Sequence, residues 1–251
     1  MTVAVIPVPG LPMIQPGDDL AALIGDAIEA ARVGLKPLDV VVVCQKVVSK
    51  AEGAVVNLDD IEPSAFAIHL TSRTESGKDP RTYEVVLREA TRIVRMDRGH
   101  VIVETRHGWV CANAGVDESN SGDPNTVVLL PLDPDASARR IAHAAHERYG
   151  CCVAVIITDT FGRPWRQGLV DFALGVAGLP ALLDLRGSND LDGRVLKHTI
   201  AAQADALAAA AGLVMRKGDG IPAALVRGYA FTPGEGSGTE LIREKQFDLF
   251  R

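Results

Sequence analysis

The segment Ile157-Thr158-Asp159-Thr160-Phe161-Gly162-Arg163-Pro164-Trp165-Arg166-Gln167-Gly168 carries the densest chemistry in the chain. An apolar run ends there in Asp159 and Thr160, and a loop with Arg163, Trp165 and Arg166 follows. A buried strand that delivers a carboxylate and a hydroxyl at its carboxyl end is a common place for a site. A second acidic segment lies upstream, Asn113-Ala114-Gly115-Val116-Asp117-Glu118-Ser119-Asn120. Carboxylates and Thr hydroxyls are hard oxygen ligands suited to Mg²⁺ or Mn²⁺. At an effective dielectric near 20, two like charges about 4 Å apart cost roughly 4 kcal/mol. Two carboxylates and a polyphosphate therefore need cations between them, which makes Asp117, Asp159 and Thr160 candidate metal ligands. The alternative is that each Asp only caps a turn.

Arg163 and Arg166 have the spacing to grip phosphate or carboxylate oxygens, or are two surface arginines of a solvated loop. Trp165 reads as the anchor of that loop in the core rather than as a wall for a flat ring. Lys46 and Lys50 follow a valine strand and either meet phosphate or decorate an edge strand. His143 and Glu147 sit one turn apart on a helix surface, and the six histidines have no metal-ligand spacing. The chain has no G-x-x-x-x-G-K-[ST], G-x-G-x-x-G or G-x-S-x-G motif. Any nucleotide is therefore bound without a P-loop. Gly234, Gly236 and Gly238 read as a flexible turn.

These residues need elements to hold them. Strands are expected at residues 3–8, 39–44, 93–94, 101–103, 109–112, 127–130, 151–157, 181–185 and 223–226. Helices are expected after the Asp18-Asp19 cap up to Gly34, over 80–92, from the Asp133-Pro134 cap to Gly150, and from Thr199 as cap to Gly212. The pattern is α+β, with mixed sheets and helices and no internal repeat.

The 251 residues can bury a substantial core. Apolar residues at 47% and charged residues at 23% are a globular balance. A net charge of −6 disfavours non-specific nucleic-acid binding. No apolar run approaches the roughly 20 residues of a membrane span, and the N-terminus does not read as a signal peptide. A cytoplasmic location is expected. Cys44, Cys111, Cys151 and Cys152 form no C-x-x-C pair and read as buried free thiols.

The combined motifs resemble one family. Gly10-Leu11-Pro12, Gly17-Asp18-Asp19-Leu20, Lys46-Val47-Val48-Ser49-Lys50-Ala51-Glu52-Gly53, Lys78-Asp79-Pro80-Arg81, the first acidic segment from Ala112 to Asn120, Leu130-Pro131-Leu132-Asp133-Pro134-Asp135 and the second acidic segment from Asp159 to Arg166 occur in this order in the coenzyme F420-0 γ-glutamyl ligases. The resemblance covers nearly the whole chain. It implies a GTP-dependent ligase that joins L-glutamate to the lactyl carboxylate of the deazaflavin precursor coenzyme F420-0, then extends a γ-linked tail. It also implies two divalent cations, Mg²⁺ or Mn²⁺, with K⁺ as a further ion. The implied architecture is an intertwined homodimer of a two-domain fold spanning residues 1–251 as one unit.

By matching motif positions, Asp117 and Asp159 would hold one metal and Thr160 the other. Leu11, Pro12, Met13, Ile14, Gln45, Lys50 and Asn120 would line the GTP site. So would Met215, Arg216, Lys217, Gly218, Asp219, Gly220, Ile221 and Pro222. Lys50, Arg163 and Arg166 would neutralise charge during catalysis. The chain departs from the family pattern at Gln45, usually Ser or Thr, at Ala206, often acidic, and at Arg216-Lys217, often Gly-Glu. The residues alone leave two other readings open, a metal-dependent nucleotide phosphohydrolase and a GTP-binding module without turnover.

Overall fold

A computed structural model describes residues 2–72, 77–97, 99–119 and 121–248. Its strands are β1 (Ala4–Val8), β2 (Val40–Cys44), β3 (Val55–Asn57), β4 (Ala90–Asp97), β5 (His100–Thr105), β6 (Val110–Ala112), β7 (Thr126–Val128), β8 (Ala154–Arg163), β9 (Arg166–Ala177), β10 (Leu183–Asp184), β11 (Ile200–Ala201) and β12 (Ala223–Arg227). Its helices are α1 (Leu20–Ala30), α2 (Gln45–Ala51), α3 (Ala65–Ser72), α4 (Pro80–Glu89), α5 (Pro134–Tyr149) and α6 (Gln203–Gly212).

The main sheet has the order β1-β12-β2-β8-β9. Only β2 and β8 run parallel among the described pairs, from Val40 opposite Ala154 to Cys44 opposite Thr158. Both strands are apolar on both faces, as a sheet covered on two sides requires. Val41, Val43, Val155 and Ile157 pack towards α1, α2 and α5. Val40, Val42, Ala154 and Ile156 pack towards the alanine-rich α6. A third core joins α3, α4 and β5 through Leu70, Tyr83, Val86 and Val103, and also contains Val116 and Val127.

Local chemistry sets most element ends. Asp19 and Asp133 accept backbone N–H groups at the starts of α1 and α5, and Gly150 closes α5 in the left-handed region at φ 67°. His143 and Glu147 pair at 3.5 Å on the exposed side of α5. Other expectations need correction. The helix expected over 80–92 stops at Glu89, because residues from Ala90 onward pair with β5. Thr199 is not a cap: Ile200 and Ala201 are taken by pairing with β10, so Ala202 caps α6.

The glycine segment at 233–238 is not a flexible turn. Gly236 and Gly238 pass so close to the carbonyls of Leu179 and Leu174 that a Cβ at either position would overlap them. Asp135 secures the same segment by accepting from Gly238 N at 2.9 Å and Ser237 Oγ at 2.5 Å, while also accepting from Val176 N at 2.8 Å. Cys111 and Cys151 are buried as expected, but Cys152 is exposed just before β8. No helix among the described residues is long and apolar enough to cross a membrane.

The buried Asp39 carboxylate is met by the Arg227 guanidinium in a fork, Nε to Oδ1 at 2.9 Å and Nη2 to Oδ2 at 2.7 Å. Removing one partner of such a pair leaves an uncompensated charge in the interior. Arg227→Met is expected to lose about 3–5 kcal/mol, read as a lower urea midpoint at unchanged slope. A midpoint equal to that of the parent would contradict this account.

Candidate active site

The site forms where the parallel pairing ends. After Cys44, the last residue of β2, the chain turns directly into α2. The edge-strand alternative for Lys46 and Lys50 is thereby replaced by a helix whose Val48, Ser49 and Lys50 are buried. After Thr158, β8 loses β2 as a partner and continues only as a ribbon with β9. Asp159 therefore lies opposite Phe172, and Thr160 opposite Asp171.

The expected arginine loop is the tip of this β-hairpin, closed by Arg163 opposite Arg166. The proline ring fixes a negative φ at Pro164, so the positive φ of the two-residue turn falls on Trp165 at 57°. Trp165 is 78% exposed, which overturns its reading as a core anchor. The apex of a two-residue turn leaves most of its side chain to solvent.

A cavity of about 400 Å³ opens at this point. Its lining includes Leu11, Pro12, Met13 and Ile14 from the loop after β1, and Lys46 and Lys50 from α2. Asp117, Thr158, Asp159, Thr160 and Asp171 bring oxygen donors. Met215, Arg216, Lys217, Gly218, Gly220, Ile221 and Pro222 close it from the segment before β12.

Four expected residues do not line this cavity. Asp219 is absent from its wall, and Gln45 is 1% exposed, its Oε1 accepting from Ser49 Oγ at 2.8 Å. Arg163 lies instead on a second pocket with Trp109, Phe161, Asp205 and Arg243, and Nη2 of Arg163 donates to Gln167 O. Arg166 is exposed at the hairpin tip and lines neither pocket. The ribbon carries both arginines beyond the cavity. Asn120 lies outside the described residues.

Charge in the cavity is partly balanced. The Asp117 backbone is pinned to β7 by paired bonds with Val128, 3.0 and 2.9 Å. Its Oδ2 meets Lys46 Nζ at 2.7 Å, and its Oδ1 accepts from Ser119 N and Oγ, both at 2.7 Å. Burial raises the Asp117 pKa, but the bonds from Lys46 and Ser119 outweigh it and leave the carboxyl below its usual range. Among the described residues, Asp159 has no lysine or arginine paired to it as Lys46 is to Asp117. Burial first, then the negative charge of Asp117, push it up to about 6, against the lowering effect of the Thr160 N–H, Lys46 and Lys217. Asp171 is also raised by burial, although Thr160 Oγ1 donates to its Oδ1 at 2.7 Å. Burial pushes the Cys44 thiol to about 11 and Cys111 to about 12, so neither is a ready nucleophile at neutral pH.

The donor set fits hard divalent cations. Asp159 and Asp171 are carboxylates shifted up by burial, with the Thr158 and Thr160 hydroxyls beside them, and the one thiol in the lining, Cys44, is held protonated by burial. Among the described residues, no group of three or more His, Cys, Asp or Glu side chains could hold an ion by itself. Remaining ligands would come from hydroxyls, water or an anionic substrate, the usual habit of Mg²⁺. The sequence alone does not point to Asp171, because Pro164-Trp165 reads there as part of a loop. Read as a hairpin turn, it folds residues 166–177 back over 154–163 and brings Asp171 beside Thr160.

Fold and site together define an α+β protein with a mixed lysine and carboxylate cavity at the carboxyl ends of its two parallel strands. The chain belongs to the F420-0:Gamma-glutamyl ligase family, whose pattern matches residues 10–228. It is 49% identical to the coenzyme F420:L-glutamate ligase of Methanopyrus kandleri, across 100% of this chain and 98% of the relative. Identity to the ligase of the same name from Methanothermobacter thermautotrophicus is 44%, with all of both chains covered. Against that of Archaeoglobus fulgidus it is 43%, covering 100% of this chain and 97% of the relative.

Lys50 is the cationic counterpart of Asp159 in this cavity, a charged group held against its preference for water. It is 7% exposed, and burial, then the neighbouring Lys46 charge, lower its pKa. Lys50→Met is expected to raise the urea midpoint while weakening polyphosphate binding at least tenfold by calorimetry. The stability difference should shrink as pH rises from the lowered native pKa towards 10.5. In that window the unfolded parent holds more protons than the native one, so parent stability rises. A destabilised Lys50→Met with unchanged affinity would contradict this reading.

Proposed function

We propose that the protein is a GTP-dependent ligase that joins L-glutamate to coenzyme F420-0 and extends a γ-linked glutamate tail. Family membership and the names of its relatives support the ligase reading. The observation that carries it furthest is that one cavity gathers both acidic segments, the α2 lysines and the two loops proposed for GTP.

An unactivated carboxylate does not form an amide in neutral water. In the proposed reaction, a carboxylate oxygen of the precursor attacks the γ-phosphorus of GTP, and the bond to the β-phosphate oxygen breaks. This gives an acyl phosphate and GDP. The glutamate amine then attacks the acyl carbon, phosphate leaves, and the amine gives up a proton. Phosphoryl transfer is mostly positioning and charge neutralisation. Lys46 and Lys50 would draw in the polyphosphate, with 11–14 and 215–222 shaping its bed.

Asp117, Asp159 and Thr160 would hold the divalent cations, Mg²⁺ or Mn²⁺, which supply charge neutralisation and Lewis acidity when bound. K⁺ is a further ion in this proposal, and the homodimer is the proposed assembly. No protein nucleophile is required, in keeping with the protonated thiols. Arg163 and Arg166 receive no part in the phosphoryl step, since neither lines the cavity.

Asp159→Ala is expected to lower glutamate addition by roughly 100-fold or more while the protein stays folded. The assay combines precursor, GTP, Mg²⁺ and L-glutamate, with product mass as readout. Parent-like turnover would overturn the assignment of Asp159. GTP hydrolysis equally fast without precursor and glutamate would favour a phosphohydrolase, and binding without GDP formation a non-catalytic module.

A further inference from the structure

We propose that Asp171 is the positioning residue that turns the Thr160 hydroxyl towards a bound cation, and that Gly212 is the space that admits its carboxylate. The inference rests on the reading that divalent cations bind in this cavity. Thr160 and Asp171 are register partners on β8 and β9, and both line the cavity. A hydroxyl has one proton, and Thr160 spends it on Asp171 Oδ1 at 2.7 Å. Its lone pairs then face away from Asp171. An anionic acceptor behind a ligating group also raises that group's basicity, the usual service of an outer partner at a metal site.

The second carboxylate oxygen depends on an absent side chain. A Cβ on Gly212 would sit 2.5 Å from Asp171 Oδ2 and 3.0 Å from Cγ. Gly212 ends α6 without a positive φ, so its backbone conformation does not call for glycine. What calls for glycine is the approach of Asp171. The helix end, the strand pair and the cavity are thus fitted around one carboxylate. Asp171 also shares its cavity with Lys217, whose charge acts on it and on Asp159.

The test is Mn²⁺ titration of the full chain, followed by electron paramagnetic resonance, with a non-hydrolysable GTP analogue present. Asp171→Ala and Gly212→Ala are both expected to weaken Mn²⁺ binding roughly tenfold. Gly212→Ala does so with the carboxylate chemically intact but displaced. Asp171→Asn keeps an acceptor for the Thr160 hydroxyl and is expected to recover part of the loss. Thermal melts separate binding from folding, because a merely structural Asp171 would lower the melting temperature and leave Mn²⁺ affinity unchanged. Should Asp171→Ala fail to fold, Gly212→Ala decides, and parent-like affinity in it overturns the proposal. Parent protein that binds Mn²⁺, with variants that bind it equally well, overturns the positioning role and leaves the ligase reading standing. Parent protein that binds no Mn²⁺ overturns the cation sites and this inference together.

Discussion

The parallel pairing of Val40–Cys44 with Ala154–Thr158 is the constraint on which the rest of the structure depends. It brings two carboxyl ends to the same edge of the sheet and then stops. One chain leaves as α2 and supplies Lys46 and Lys50, while the other leaves as a ribbon and supplies Asp159, Thr160 and Asp171. The third core delivers Asp117 to the same place through Val116 and the bridge to Val128. The surrounding core can carry such a site. Val40, Val41, Val42, Val43, Ile156 and Ile157 are at most 1% exposed, and burying a side chain of that size contributes about 1.5–3 kcal/mol. Raising Asp159 from 3.8 to about 6 opposes folding at neutral pH by about 3 kcal/mol, the scale of one or two such side chains.

That balance explains why the cavity resembles a receptor for cations and anions rather than a finished ion-pair network. Asp117 is satisfied by Lys46 and Ser119, whereas Asp159 and Lys50 are each shifted against their charged forms by burial. A polyphosphate and its cations would relieve both strains. The proposed ligase chemistry therefore asks little of any single side chain and much of the placement of all of them.

Much of this was legible in the sequence, for physical reasons that differ by element. The run of four valines could only be a buried strand, and Asp133-Pro134 with Gly150 marks both ends of α5 by capping alone. The two acidic segments stand out by their residue types and the loops at 11–14 and 215–222 by resemblance, and Asp117, Asp159 and Thr160 meet most of both loops in one cavity. What the sequence hid were consequences of pairing. Arg163 and Arg166 share a segment with Asp159 but leave its cavity because a two-residue turn projects the ribbon outward. Asp171 enters only through that same turn, and Gly212 matters only because of Asp171. Thr199 had the chemistry of a cap and lost the place to a short strand pair at 200–201.

The central claim is that this cavity activates a carboxylate by phosphoryl transfer before the amide forms. The most direct measurement uses coenzyme F420-0 labelled with ¹⁸O in its lactyl carboxylate, with GTP, Mg²⁺ and L-glutamate. Attack by that oxygen on the γ-phosphorus leaves it attached to phosphorus when the amine displaces phosphate. The account predicts one ¹⁸O in the inorganic phosphate released by the first addition, matched one for one to the product one glutamate heavier, and none in phosphate from later additions. Glutamate addition with no ¹⁸O in the phosphate would contradict it.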